Sequence, residues 1–480
     1  MGRWIMFRKS RITWETAFIL LFFIVASAVA LSTSLNHLDS NFHLDYVREI
    51  HDTHSIPKYH PHIFNTAGVQ VPFPYPIGYH LTMSIFPEWV SLYKLLQVVF
   101  AVSCLILTLK LAGLLGVKKN RLAVLIPVVL AFSFSEFSIV PHPDMLALLL
   151  VLLSVYFMLR YLQEGSKIYA VAAVLSGFYG SMVREFALVT ILFAGLAFLL
   201  KYKEKRRQIA ACLIPIVLLT GLGYYWVNCL IRGENLLYPF LGGIDPKASD
   251  WYMSHVSFWN VLLHEPVQAL GELLKVFSLF IPIFLLVRPR DKILALVFGG
   301  QIALTFALFP STAGLDRYVM FTLPFLAIAY ANAWERLPRR APIVILLVGL
   351  FVLYPAQGYL INKMFPSNFE GITENLSPND NVLFRDDGQL AYRIGCKANW
   401  TSLFWSSDLF DSFENVDKVE NLIKKHGITH VLIDKELIIP PNSLMIGNDA
   451  MGYPEKWVEK IENIGFKIAE THRYLLYKVG

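Results

Sequence analysis

Charge is scarce in this chain: only 16% of its 480 residues are Asp, Glu, Lys or Arg, against 55% hydrophobic residues. That balance excludes an ordinary soluble globular protein, in which about a quarter of residues are charged. Cysteine is scarcer still, with four residues, and two of them, Cys104 and Cys212, lie inside apolar runs. Only Cys229 and Cys396 could meet outside, so neither a disulfide framework nor a zinc spacing is present and cysteine chemistry is not expected. No solenoid-type repeat and no low-complexity tract occurs. The middles of the apolar runs are nearly free of charge, which argues against a transporter, whose ionisable groups sit near the bilayer midplane at broken helices.

What the chain does have is a series of apolar runs near the ~20 residues needed to cross a bilayer as helix. They fall at roughly 16–36, 89–115, 122–140, 144–162, 168–183, 185–200, 208–230, 267–287, 293–309, 318–334 and 341–361. Helices are the expected form, because unsatisfied backbone groups are too costly in lipid. The first run is too long for a signal-peptide core and lacks a small-x-small cleavage site, so it reads as a retained anchor. Basic clusters at Arg3/Arg8/Lys9/Arg11, Lys118/Lys119/Arg121, Arg160/Lys167, Lys201 to Arg207, Arg288/Arg290/Lys292 and Arg336/Arg339/Arg340 fall at every second turn. The positive-inside rule makes these loops cytoplasmic. Eleven crossings then leave the N-terminus cytoplasmic and the C-terminus extracytoplasmic. The net charge of +6 sits in those short loops and calls for no nucleic-acid partner.

Beyond about Phe365 the sequence becomes polar, with turn signals at Ser377-Pro-Asn-Asp and Asp386-Asp-Gly. Short β-type runs at Asn381, at Thr429 to Ile433 and at Tyr474 to Val479 alternate with amphipathic stretches at Val416 to His426 and Trp457 to Ile464. The expected fold is an α-helical polytopic membrane protein carrying a small extracytoplasmic α/β domain over 365–480.

The exceptional polar groups share one predicted side. Asp39, His43 and Asp45 lie in the first loop, His142 and Asp144 between the third and fourth runs, Arg184 and Glu185 between the fifth and sixth, Arg232 after the seventh, and Asp316, Arg317 and Tyr318 between the ninth and tenth. Ionisable residues at span ends mark a functional cavity when they face one another rather than lipid. In the loop itself, 37–88, Phe42, Tyr46, Val47 and Ile50 recur at helical spacing with Asp45, Arg48, Glu49 and Asp52 between them, predicting a helix lying at the interface. Asp39 stands at its start, either capping it or serving chemistry. Pro72, Pro74, Pro76 and Gly78 then force an extended return, where Tyr75, Tyr79 and His80 read as headgroup anchors or as pocket lining.

Asp39-x-x-x-His43, Tyr46-Val-Arg-Glu-Ile50 and Pro74-Tyr-Pro-Ile-Gly-Tyr-His-Leu81 resemble the first extracytoplasmic loop of GT-C membrane glycosyltransferases, of the protein mannosyltransferase and lipid A aminoarabinose transferase kind. Pro143-Asp-Met-Leu-Ala147, Gly177 to Glu185, Gly233 to Phe240 and Arg317 to Pro324 are similar to later segments of that class, in the same order. The sequence departs from the family's pattern in two places. Asp39 is followed by Ser40 rather than a second acid, so Asp45 is the candidate second carboxylate. The lysine often found in the loop's return is absent. No Trp-Trp-Asp-Tyr-Gly motif occurs in the tail, unlike in an oligosaccharyltransferase catalytic subunit.

The resemblance implies a polyprenyl-phosphate sugar donor, a glycan, lipid or protein acceptor, and surrounding membrane lipid. It also implies a base for the acceptor and cations for the leaving phosphate. Asp39 is the candidate base, with Asp45 and Asp144 as further catalytic candidates. Arg317 and Arg184 are the phosphate candidates, since guanidinium offers forked donors and keeps its charge; snorkelling to headgroups is the alternative for each. Tyr318, Glu185, His43, Tyr75 and His80 complete the expected substrate-binding set. For Asp144 helix capping is the alternative, and for Glu185 a counter-ion role beside Arg184. No cofactor is expected. The loop histidines His51, His54, His60 and His62 could share a divalent ion, but no thiolate or clear carboxylate accompanies them. The rival readings are a flippase for lipid-linked glycans and a non-catalytic scaffold.

Overall fold

A computed structural model describes residues 13–34, 38–64, 70–73, 75–234, 236, 258–267, 269–271, 287–308, 315–335, 337–338, 340–364, 369–384, 387–400, 407–440 and 452–479. Ten helices lead the chain: α1 (Trp14–Ser32), α2 (Leu38–Thr53), α3 (Gly78–Met83), α4 (Val90–Leu114), α5 (Ile126–Val129), α6 (Phe132–Phe137), α7 (Pro143–Glu164), α8 (Lys167–Val183), α9 (Glu185–Lys201) and α10 (Arg206–Tyr224). Further apolar helices span Lys292–Leu308 and Ala341–Met364. Five helices among the described residues are long and apolar enough to cross a membrane: Trp14–Ser32, Val90–Leu114, Pro143–Glu164, Lys203–Ile231 and Ala341–Lys363. The chain is an integral membrane protein.

Two of the expected crossings are not continuous helices. The run 122–140 breaks into the 3-10 turn Arg121–Leu125, α5 and α6, and the run 318–334 into Leu315–Met320, Leu323–Ala329 and Ala331–Glu335. Proline accounts for the first interruption in each run, because Pro127 and Pro324 each stand at the start of a helical piece and have no N–H to continue the preceding one; the second, at 130–131 and at 330, carries no proline. Residues 122–129 and 323–329 are buried, and the two broken segments pack on each other. Irregular backbone at membrane depth is tolerated when protein rather than lipid covers it. The expected crossing at 267–287 lies largely outside the described residues.

The first loop does not lie on the surface as a half-exposed helix. Phe42, Leu44, Tyr46, Val47 and Ile50 of α2 are buried, and so are Ser40, Asn41, His43 and Asp45. The first half of the helix is covered on every face, whereas Arg48 and Glu49 are half-buried and His51, Asp52 and Thr53 exposed. Strands β1 (Tyr59–Phe64) and β2 (Gln70–Pro72) of the loop join β3 (Asn381–Phe384), β4 (Lys397–Trp400), β5 (His430–Asp434), β8 (Phe466–Glu470) and β9 (Tyr474–Lys478) in one sheet of order β2-β1-β4-β3-β5-β9-β8, while β6 (Ile438–Ile439) pairs with β7 (Tyr453–Pro454). β1 runs parallel to β4 with Ile63 opposite Ala398. The helix Asp387–Ile394 packs on α2, and Arg48 fastens the two by donating to the Tyr392 carbonyl at 2.8 Å and to Glu88 Oε1 at 2.7 Å.

The return of the loop is fixed by a close backbone approach. A Cβ built on Gly78 would stand 2.6 Å from the Met182 carbonyl oxygen at the end of α8, a contact that only backbone movement relieves. Tyr179 Oη donates to the Gly78 carbonyl at 3.0 Å across the same seam. Gly78→Ala should therefore destabilise the protein by about 1–3 kcal/mol. The check is a lowered melting temperature in detergent, with Gly221→Ala, where a Cβ meets nothing within 4 Å, as the control.

Candidate active site

Asp39 lies in the first turn of α2, where a carboxylate also complements the helix dipole. Its Oδ2 accepts from Arg317 Nη1 at 2.6 Å, and His142 Nε2 stands 3.5 Å away. Arg317 comes from the short helix Leu315–Met320, which packs on α6 and sets the guanidinium 5.5 Å over the Phe137 ring. The end of α6 and the short connection into α7 thus deliver both the ring under Arg317 and the imidazole beside Asp39.

Behind this pair lies a second one. Pro141 and Pro143 flank His142, whose backbone is extended (φ −153°, ψ 145°), and His142 rather than Asp144 is the N-cap of α7. Its Nδ1 lies 3.2 Å from Asp144 Oδ2, so one imidazole bridges Asp39 and Asp144. Asp144 Oδ1 sits 2.9 Å from Arg184 Nε. Arg184 is the single extended residue between α8 and α9 (φ −152°, ψ 127°), and this break turns its side chain inward instead of toward lipid headgroups. The guanidinium lies 5.1 Å from the Tyr75 ring and 5.9 Å from the Tyr318 ring, with Glu185 a more distant counter-ion at 3.9 Å. The two ion pairs differ in access: Arg184 and Asp144 are 4% and 0% exposed, whereas Arg317 and Asp39 are 25% and 18% exposed.

His43 and His80 form the floor. Their facing nitrogens are 3.0 Å apart, and the His43 ring lies tilted against Tyr75 at 4.6 Å and edge-on to His142 at 5.2 Å. Both rings are fully buried and held below the usual histidine range, first by burial, then by each other or by nearby Arg232. Tyr75 is pushed up by burial and by the Asp39 charge, so its hydroxyl stays protonated.

The structure brings Asp39, Asp144, Arg184, Arg317, Tyr75, Tyr318 and Glu185 together, with His43 behind them. It does not bring Asp45 to Asp39. Six residues along a helix of 3.6 residues per turn place Asp45 on another face, where its Oδ2 meets His60 Nε2 and His62 Nδ1, each at 3.2 Å. The carboxylate near Asp39 is Asp144, reached through His142. His80 lies behind His43 and against Phe73, with ring centroids 4.5 Å apart. Among the described residues no group of three or more His, Cys, Asp or Glu side chains is arranged to hold a metal ion. Sequence reasoning placed His142 on the same side as these residues but gave it no role; its signal was the flanking pair Pro141 and Pro143, which sets one histidine at the helix start beside Asp144.

Burial of neutral histidines carries a pH signature. His60 is pushed down to about 4 by burial, and His43 and His80 are also lowered, whereas His62 is raised by its hydrogen bond to Asp45. A lowered histidine takes up its proton in the unfolded chain first, so its stabilisation is complete above the ordinary value of 6.5 and is lost as pH falls toward 4. His62 acts in the opposite direction but is 33% exposed, where solvent screens its effect, whereas the three lowered residues are fully buried. The melting temperature should fall between pH 7 and pH 5, by less in His60→Gln; His60 alone accounts for up to about 3 kcal/mol by pH 4. A melting temperature independent of pH over that window would contradict this assignment.

No protein-family profile matches the chain, and no curated protein matches it in sequence. Solved structures do match. ArnT from Cupriavidus metallidurans bound to undecaprenyl phosphate superposes with a TM-score of 0.58 and 13% identity over 98% of both chains. Arabinofuranosyltransferase AftD from Mycobacteria gives 0.53 and 13% identity over 97% of this chain and 41% of that one. The Archaeoglobus fulgidus oligosaccharyltransferase tethered with an acceptor peptide gives 0.52 and 12% identity over 88% of this chain and 69% of that one. At these identities the likeness is one of fold, and it spans almost the whole chain.

Proposed function

We propose that this integral membrane protein of GT-C fold is a glycosyltransferase that moves a sugar from a polyprenyl phosphate to an acceptor hydroxyl on the extracytoplasmic face. The observation that carries the reading is the partly open Asp39–Arg317 pair backed by the buried Asp144–Arg184 pair. Displacement at an anomeric carbon needs a base for the acceptor and a cation for the departing phosphate. In the step proposed, the acceptor oxygen bonds to the anomeric carbon as the bond from that carbon to the phosphate oxygen breaks. The electron pair leaves with the phosphate, toward Arg317, and the hydroxyl proton passes to Asp39. A single displacement of this kind inverts the anomeric centre.

The neighbour bound to undecaprenyl phosphate supports a polyprenyl phosphate donor, and the neighbour tethered with a peptide leaves protein among the acceptors beside glycan and lipid. The fully buried Asp144–Arg184 pair reads as a support that holds His142 against Asp39 rather than as a second phosphate ligand. The test is purified protein in liposomes supplied with labelled polyprenyl-phosphate sugars and envelope extract as acceptor source. A new glycosidic bond is the expected result. Movement of the lipid between leaflets without bond formation would assign a flippase instead.

A further inference from the structure

We propose that Asp39 and the phosphate of a polyprenyl phosphate compete for the Arg317 guanidinium, so that donor binding releases the base. The inference rests on the glycosyltransferase reading and adds an order of events to it. Of the two arginines in the site, Arg184 is sealed, at 4% exposure against a fully buried carboxylate. Arg317 is the accessible one, at 25% exposure, and its Nη1 is engaged by Asp39 at 2.6 Å. A phosphate takes guanidinium best through two parallel N–H donors, and the phosphodiester anion of a polyprenyl-phosphate sugar brought beside ionised Asp39 suffers like-charge repulsion in a partly desolvated site, more so the carrier phosphate released after transfer. Both anions cannot hold one guanidinium at full strength.

The exchange leaves Asp39 supported. His142 Nε2 is 3.5 Å from the same Oδ2 that Arg317 holds, and its other nitrogen faces Asp144 at 3.2 Å. When Arg317 turns to the phosphate, the imidazole at 3.5 Å is near enough to close on the carboxylate and take over its support. A carboxylate relieved of its cation is also the stronger base. Asp39 is therefore quiet while the site lacks donor and armed once the donor phosphate is seated, which makes donor binding precede deprotonation of the acceptor.

The test measures affinity rather than turnover, on full-length protein in nanodiscs, with undecaprenyl phosphate and undecaprenol as probes. Asp39→Asn removes the competing charge and should bind undecaprenyl phosphate about tenfold more tightly than wild type, the size of effect that a partly buried charge pair supports. Arg317→Gln should bind it at least about tenfold more weakly. Undecaprenol should bind wild type and Asp39→Asn equally. Unchanged or weaker binding of undecaprenyl phosphate by Asp39→Asn overturns the competition, as does an equal gain for undecaprenol, which would report a loosened pocket. Where Asp39→Asn is not monodisperse, Asp39→Ser carries the same comparison. Failure of wild type to bind undecaprenyl phosphate sinks the donor reading as well. Intact binding and transfer by wild type with no gain in Asp39→Asn sinks the competition alone.

Discussion

Asp39→Asn should lose sugar transfer by about 10²–10⁴-fold, the usual contribution of a placed proton acceptor, while the protein still folds. Asparagine matches aspartate in shape, and its carbonyl oxygen can still accept from Arg317, so the start of α2 keeps its geometry. What it cannot do is take a proton. The ion pair lost is 18% and 25% exposed at its two ends, so its contribution to stability is of the order of 1 kcal/mol. Initial rates of wild type and Asp39→Asn in the same liposomes, set beside their melting temperatures, separate the two effects. Transfer at the wild-type rate by a folded Asp39→Asn protein would remove Asp39 as the base. Asp39→Glu should lie between them, because its longer stem displaces the carboxylate from His142 and Arg317 while keeping a group that can accept the proton.

Much of this site was legible because charge is so rare in the chain. In a sequence where apolar runs dominate, Asp39, Asp144, Arg184 and Arg317 stand at the ends of runs, and the positive-inside rule puts those ends on one face. That one-sidedness places residues within reach of one another without saying which pair meets. Three features were not legible, each for a physical reason. Pro127 and Pro324 sit inside runs as apolar as any span, and hydropathy does not register a missing N–H. Asp45 and Asp39 share one loop, yet the face each takes depends on the phase of α2, which sequence separation fixes only once the helix is known. The pairing of β1 with β4 joins the first loop to the tail through main-chain hydrogen bonds, and nothing in Tyr59–Phe64 names Lys397–Trp400 as its partner. The tail's role as a roof over α2, with Arg48 reaching Tyr392, was hidden for the same reason.

The buried pair behind the base sets the second large effect. Asp144→Ala leaves the Arg184 guanidinium, 4% exposed, without the carboxylate that now stands 2.9 Å from Nε. Removing one partner of a buried ion pair typically costs about 3–5 kcal/mol, because the remaining charge is stranded away from water. The melting temperature should fall sharply, and transfer should fall with it. Replacing both charges with apolar groups of similar size, as in Asp144→Leu with Arg184→Met, removes the stranded charge and should recover most of the lost stability. Rate should not recover. In the double variant His142 faces no carboxylate at Nδ1, so the imidazole beside Asp39 keeps its stacking on Phe137 but loses its charged support. Melting temperatures and rates of wild type, Asp144→Leu, Arg184→Met and the double variant in one cycle distinguish the two roles: losses of stability that simply add would show that the residues do not act as a pair, and full recovery of rate would show that the pair serves the fold and not the position of the base.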